Sequence, residues 1–328
     1  MAIGLVLTPG SFRATFPAMQ TLEAFDRQFP TDDACKAYLA KKRWPTGVRC
    51  PRCGAQEKVY TLKARPFHWV CKNVDCGGRN GYRFSVITRT IFEDTKVPLR
   101  LWFKVGYLMM TAKKGVPALQ IHRVIFGEDS GSDYHTSWYM CHRWRAAMRG
   151  DAFPLTGVVE VDETYIGGKD RNRHKNKRSA VARAAAGPQL PGRTIGYKKI
   201  GVIGAIARKG NVVAEVIGDM RAPTLAGFVA ATVSEKVSLV ATDENKAYNY
   251  VRVGMPHEAV HHGQGEYVRG EVHTNNIESF WSLVKRGIMG SFHHVSKDYL
   301  PLYLNEFSFR HNQRKGIDPF GALVATCG

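Results

Sequence analysis

Two cysteine pairs, Cys50-Pro-Arg-Cys53 and Cys71-Lys-Asn-Val-Asp-Cys76, stand seventeen residues apart and constrain this chain more than any other feature. The short gap inside each pair lets both thiolates of a knuckle reach one tetrahedral ion at about 2.3 Å. Two knuckles with such a spacer are the sequence sign of a zinc ribbon. The alternative is four buried free thiols. Residues 59–62, 67–70 and 82–87 read as the ribbon's strands, and Cys50, Cys53, Cys71 and Cys76 as ligands of one structural Zn²⁺. Cys35, Cys141 and Cys327 stay outside this scheme as core or tail thiols. A ribbon points to zinc more firmly than to DNA, because ribbons also bind proteins.

The charge balance narrows the partner. The chain has 47 Lys and Arg against 28 Asp and Glu, a net charge of +19. That surplus suits a polyanion, and nucleic acid is the commonest one. No basic amphipathic helix with a matching apolar face speaks for a membrane surface, and no run of 18 apolar residues speaks for a spanning helix. The start, Met1-Ala-Ile-Gly-Leu-Val-Leu7, lacks the charged region of a signal peptide. A cytoplasmic protein, without membrane contact, is expected.

The chain divides by pattern. Residues 1–20 carry no periodicity and read as loose. Residues 21–95 hold a helical stretch, with Thr31-Asp-Asp33 capping its second part, followed by the ribbon. Residues 96–149 read as three helices, with Pro98 at a first helical position and the third helix carrying His142, Arg143, Arg145 and Arg149. Two short helices with a basic second member resemble a helix-turn-helix, and Arg143 and Arg145 are its candidate DNA contacts. A three-helix linker with a solvated basic face is the competing view. Pro154 between two glycines then marks a domain boundary.

The second half opens on Val158-Val-Glu-Val-Asp162-Glu-Thr-Tyr-Ile-Gly-Gly168, a β-branched strand ending in a glycine turn. Alternation puts Glu160, Asp162 and Thr164 on one side and Val159 and Val161 on the other. Burying an unpaired carboxylate costs several kcal/mol or more, roughly, so a bound cation is one way to keep Asp162 there. Pairing with an arginine is another. Residues 169–199 follow with ten Lys and Arg against one Asp, a basic arm in which Lys175, Lys177 and Arg178 are candidate phosphate contacts. Two strands joined by Arg208-Lys-Gly-Asn211, a helix from Pro223, and a strand ending in Asp243-Glu244 come next. A helix from Thr274 and a last one over 298–313 complete residues 156–313, and 314–328 reads as a C-terminal tail.

This α/β order matches a ribonuclease-H-like, retroviral-integrase-like domain, whose first and fourth strands lie side by side. Asp162 and Asp243 then share a metal ion. On the helix from Thr274, Ile277, Phe280, Trp281, Val284 and Ile288 form the buried stripe. Asn275, Glu278, Ser282 and Lys285 fall on an adjoining polar face with Arg286 beside them, and Lys285 and Arg286 are further candidate DNA contacts. Two Asp and one Glu meeting at one point suit two-metal phosphoryl transfer, with ions about 3.5–4 Å apart. Hard oxygen ligands select Mg²⁺ or Mn²⁺. Taken alone, Glu278 is as easily a surface residue pairing with Lys285 or Ser282. The adjacent His261 and His262 point opposite ways on a strand and read as structural.

Several of these stretches together resemble one family. They are Thr90-Ile-Phe-Glu-Asp-Thr-Lys-Val-Pro-Leu99, Lys113-Lys-Gly115, Val159-Glu-Val-Asp-Glu-Thr-Tyr-Ile-Gly-Gly168 and Thr242-Asp-Glu244. Two longer ones follow, His273-Thr-Asn-Asn-Ile-Glu-Ser-Phe-Trp-Ser-Leu-Val-Lys-Arg-Gly-Ile288 and Tyr303-Leu-Asn-Glu-Phe-Ser-Phe-Arg-His-Asn312. In this order, over about residues 33–314, the chain is similar to bacterial insertion-sequence transposases of the ISXO-like type, which set a zinc ribbon before a DDE domain. The resemblance implies recognition of transposon ends and divalent-metal-dependent strand cleavage and transfer on double-stranded DNA, by a homo-oligomer. Asp162 and Asp243 match the first two acids. For the third position the motif holds both Asn275 and Glu278, and Glu278 is the choice because a third anion balances two Mg²⁺ better than an amide. The basic arm is longer than the family pattern leads one to expect. Two rival readings share these residues: a zinc-ribbon DNA-binding regulator with a decayed catalytic domain, and a structure-specific nuclease that cuts without joining.

Overall fold

The computed structural model describes residues 21–77, 80–127, 131–150, 154–167, 199–245, 247–248, 255–261, 263, 268–270 and 272–328. The expected loose stretch 1–20, most of the basic arm 169–199, and His262 lie outside the described residues.

Two short helices begin the chain, α1 (Leu22–Gln28) and α2 (Asp32–Arg43). Each starts where a threonine hydroxyl accepts an early helix amide, Thr21 from Ala24 and Thr31 from Ala34, both at 3.2 Å. The ribbon follows as an antiparallel sheet of β1 (Val59–Thr61), β2 (His68–Cys71) and β3 (Tyr82–Ser85). The helical turn α3 (Val74–Gly77), for which the residue pattern gives no signal, brings Cys76 back towards β2. Three helices come next, α4 (Leu99–Thr111), α5 (Ala118–Ile125) and α6 (Tyr134–Ala147). Pro98 sits at the cap of α4 and not inside it. The capping acceptor is supplied from α2, because the Asp32 carboxylate takes the Leu99 and Arg100 amides at 3.2 and 3.0 Å.

The second half is one five-stranded sheet in the order β6-β5-β4-β7-β8. Its strands are β4 (Val158–Ile166), β5 (Ile200–Ala207), β6 (Val212–Ile217), β7 (Leu239–Thr242) and β8 (His257–Ala259). β4 runs antiparallel to β5 and parallel to β7, so the first and fourth strands of this half are neighbours. The helix α7 (Ala222–Thr232) covers one face, where Leu225, Phe228 and Val229 meet Val159, Val161, Ile203 and Ala205. The helices α8 (Asn275–Gly287) and α9 (Leu300–Asn312), joined through a π-helical turn at Ile288–Phe292, cover the other. There Ile277, Phe280, Trp281 and Val284 meet Val202 and Ile206, the residues that alternate with the first set.

α8 lies close to the sheet because β5 has a glycine at the crossing. A Cβ on Gly204 would stand 2.6 Å from the Trp281 ring, and Gly204 is the residue opposite Asp162. Any larger side chain there pushes the helix off the strand that carries the acid.

Residues 314–328 are not a tail. Pro319–Ala325 form a final helix, α10, with the Asp318 carboxylate accepting the Gly321 amide at 2.8 Å and Pro319 in the first turn. Phe320 inserts among Phe25 and Phe103, with ring centroids 5.3 and 5.6 Å away. Leu323 and Val324 are buried in the same core. The end of the chain therefore completes the core of its beginning.

Candidate active site

Asp162 lies on β4 between β5 and β7. β4 and β7 pair Val158 with Leu239, Val159 with Val240 and Glu160 with Ala241. The same register continued past Glu160 brings Asp243 level with Asp162. Asp243 begins the turn after β7, where its Oδ1 accepts the Asn245 amide at 3.1 Å. Glu278 stands one turn into α8, and the Thr274 hydroxyl donates to its Oε1 at 2.8 Å. The three carboxylates interact. Burial first, then the charges of Glu163, Asp243 and Glu278, push the Asp162 carboxyl up to about 7. The charges of Asp243 and Glu278, both distant in sequence, thus bear on Asp162.

What sets α8 at this place is Glu160, two residues before Asp162 on the same face. Its carboxylate is fully buried. Oε2 accepts the backbone amides of Asn276 and Ile277 at 2.8 and 3.2 Å, and Oε1 accepts the Asn276 side-chain amide at 2.7 Å. Arg208 Nε donates to Oε1 at 2.9 Å, and His273 Nδ1 lies 3.2 Å from it. A strand carboxylate thereby caps the helix that carries Glu278, and the positive end of the helix dipole favours that charge. Alternation alone places Glu160 beside Asp162 and says nothing of this role. An acid on the buried face two residues from a site acid is the signal that points to it.

Glu163 faces away from Glu160. It accepts the Asn245 side-chain amide at 2.6 Å and the Tyr248 hydroxyl. Burial, followed by the Glu163 charge, pushes the Tyr248 phenol far above its ordinary range, so it stays a donor. Asn275, the alternative third residue, is exposed at the start of α8, while Asn276 is the amide that bonds to β4.

The expected DNA contacts divide. Lys285 and Arg286 are exposed on α8. Arg143 is half-buried, donating to the Tyr139 hydroxyl and, at 3.2 Å, to the Thr90 carbonyl. Arg145 requires a correction. It is 1% exposed, pairs with the equally buried Glu306 at 2.7 Å and stacks its guanidinium 4.0 Å from the Tyr303 ring centroid. Its charge ties α6 to α9 and offers nothing to a phosphate. The direction of the helix face decides this, because the inward face of α6 meets Glu306. Lys175, Lys177 and Arg178 lie outside the described residues.

The four ribbon thiols meet as expected. Their sulfur atoms all lie within 4.8 Å of one another, with Cys50 and Cys76 at 3.3 Å and Cys53 and Cys71 at 3.8 Å. A tetrahedron of sulfurs about 2.3 Å from zinc has edges of about 3.8 Å, so the donor set fits that ion. Against the effect of burial, the backbone amides of Cys53 and Arg52 draw the Cys50 thiol down to about 7, whereas burial pushes the Cys71 and Cys76 thiols up.

Comparison with known proteins bears on both regions. A family model described as an ISXO2-like transposase domain matches residues 154–312, and one described as a transposase zinc-ribbon domain matches residues 30–84. An uncharacterized protein in transposable element ISH50 of Halobacterium salinarum is 30% identical over 309 residues, covering 92% of this chain and 98% of that protein. No solved structure matches. Among the described residues no helix is long and apolar enough to cross a membrane.

Proposed function

The chain belongs to the ISXO2-like transposases, and from that premise we propose that it binds the ends of its element and catalyses metal-dependent cleavage and transfer of DNA strands. The observation that carries this is the position of Asp162, on the central strand in register with Asp243, where burial and the charges of Glu163, Asp243 and Glu278 raise its carboxyl pKa. A site that gathers acids against their own repulsion fits a cation. Asp162, Asp243 and Glu278 offer hard oxygens suited to Mg²⁺ or Mn²⁺. When bound, a pair of such ions supplies charge stabilisation for in-line attack of water, and then of a DNA 3′-OH, on a phosphodiester.

The protein's own part is placement. The β4–β7 register, continued two residues past its last pair, aligns Asp162 with Asp243, and Glu160 bonds the start of α8 to the same strand. The Thr274 hydroxyl donates to Oε1 of Glu278 and orients that carboxylate at the start of α8. Tyr248 and Asn245 hold the Glu163 carboxylate aside. The strand order, with first and fourth strands adjacent, supports a ribonuclease-H-like fold for this half, and the paired short helices α5 and α6 support a helix-turn-helix role. Cys50, Cys53, Cys71 and Cys76 are the ligands of a structural zinc in this reading. Asn275 assists at the scissile phosphate without being a ligand.

The test is cleavage of a plasmid carrying the gene with its flanking DNA, by purified protein with Mg²⁺. Wild type should release 3′-OH ends at the element's borders and join them to target DNA. Asp162→Asn should bind the same DNA and cut none of it. Cutting without joining would favour a nuclease, and binding without cutting by wild type would favour a regulator.

A further inference from the structure

The far end of α8 carries cations that the active site does not use. Glu278, Ser282, Lys285, Arg286 and Met289 are all exposed and share one helical stripe, which starts at the acids. Lys285 lies about 10 Å along the axis from Glu278 at 1.5 Å per residue. That span matches about three base-pair steps of duplex at 3.4 Å each.

A second pair of cations reaches this end from the other half of the chain. The turn after α4 carries exposed Lys113 and Lys114 and is fixed at three points, one on the end of α8, one on the π-helical turn and one on α9. A Cβ on Gly287 would stand 2.7 Å from the Lys114 carbonyl oxygen, so the two backbones touch next to Arg286. Gly115, at φ 88°, lies against the Phe292 ring in the π-helical turn. The Arg310 guanidinium of α9 donates to the Ala112 carbonyl. Neither contributing stretch dilutes the charge: residues 95–127 and 279–297 contain no Asp or Glu.

We propose that Lys113 and Lys114 join Lys285 and Arg286 in one phosphate track for duplex DNA flanking the scissile bond. The proposal rests on the acids being the cutting site. Its consequence is that a loop of the N-terminal helical core grips DNA that the catalytic half holds, coupling the halves through the substrate. Lysine and arginine at these positions read backbone charge and not base sequence, so the track serves any duplex. An acidic protein is the other polyanion such a patch would attract, and competition decides between them.

The experiment uses full-length protein with two double variants, Lys113→Ala with Lys114→Ala, and Lys285→Ala with Arg286→Ala. Binding to a labelled random-sequence duplex is measured across a salt series, and unchanged zinc content and melting temperature confirm folding. Removing one cation from a phosphate lowers the slope of log affinity against log salt by about 0.9, so each double variant should reduce it by about 2. A slope reduced only in the α8 variant, or in neither, overturns the composite track. So does unchanged duplex binding by either variant alongside abolished binding to an acidic polypeptide such as polyglutamate. Plasmid cleavage by wild type is scored separately. If wild type cuts and the slopes do not move, the track is wrong and the catalytic reading stands. If both slopes fall and wild type does not cut, the duplex-binding track stands and the catalytic reading falls.

Discussion

Glu160 Oε2 lies 2.8 Å from the backbone nitrogen of Asn276, so a strand residue in the middle of the sheet caps the helix that bears Glu278. The carboxylate is fully buried and takes donors from Asn276, Ile277 and Arg208. Glu160→Gln removes the charge and turns an amide N–H₂ towards groups that are themselves donors. Breaking one side of such a buried pair costs about 3–5 kcal/mol. Denaturant unfolding should show a loss of that size, with zinc retained. A variant as stable as wild type would mean that Glu160 does not hold α8.

Arg145 and Glu306 make the corresponding tie between α6 and α9, with Arg310 Nη1 3.4 Å from the second carboxylate oxygen. Arg145→Met leaves Glu306 buried with one weaker partner and should cost about 3 kcal/mol or more. It should leave the salt dependence of DNA binding unchanged. A flatter salt slope at wild-type stability would return Arg145 to the DNA surface.

Glu160 and Arg145 mark where the residue pattern stops being informative. Strand alternation locates Asp162 and the facing Val159 and Val161, because a period of two is printed in the residues themselves. The buried stripe of α8 is equally legible from its helical period, and the ribbon from its cysteine spacing. Glu160 and Arg145 are not, since their roles depend on partners 116 and 161 positions away in sequence. A basic helix face looks the same whether it meets solvent or Glu306. The helix α10 is hidden for a different reason: Asp318-Pro319-Phe320 is a start signal, but its apolar residues find a core only among Phe25, Phe29 and Phe103.

The pH behaviour of the metal-free protein follows from Asp162. Its carboxyl is raised from 3.8 to about 7 by burial and by neighbouring acids. Between those values the folded state binds the proton that the unfolded state has released, so its stability falls as pH rises through that window. Mg²⁺ offsets the charge, so the rise in melting temperature on adding Mg²⁺ should be larger at about pH 8 than at about pH 6. Asp162→Asn should stabilise the Mg²⁺-free protein at the higher pH and abolish that difference. Magnesium is to be omitted and not chelated, because a chelator also strips the ribbon. Equal Mg²⁺ shifts at both pH values would contradict the site.

The ribbon should hold about one zinc per chain by its four-thiolate count. Its sheet buries Trp69 and Phe84 against Trp44 at the end of α2, and metal binding adds to that folding free energy. Cys50→Ser should lose the zinc and unfold residues near β1 and β2, read by elemental analysis and hydrogen exchange. Full zinc in that variant would remove the assignment.

Cleavage by Glu278→Gln tests the central claim most directly, because this change keeps the shape of α8 and removes one charge from the acid cluster. The Thr274 hydroxyl that now meets Glu278 can still meet the amide oxygen, so positioning is preserved. The assay is Mg²⁺-dependent cleavage of the plasmid carrying the gene and its flanks, with Asp162→Asn as the inactive reference and Asn275→Ala alongside. The account predicts that Glu278→Gln loses cleavage by orders of magnitude, binds duplex DNA as wild type does, and that Asn275→Ala loses much less. Near-normal cleavage by Glu278→Gln with an inactive Asn275→Ala would contradict it and make the third residue an asparagine.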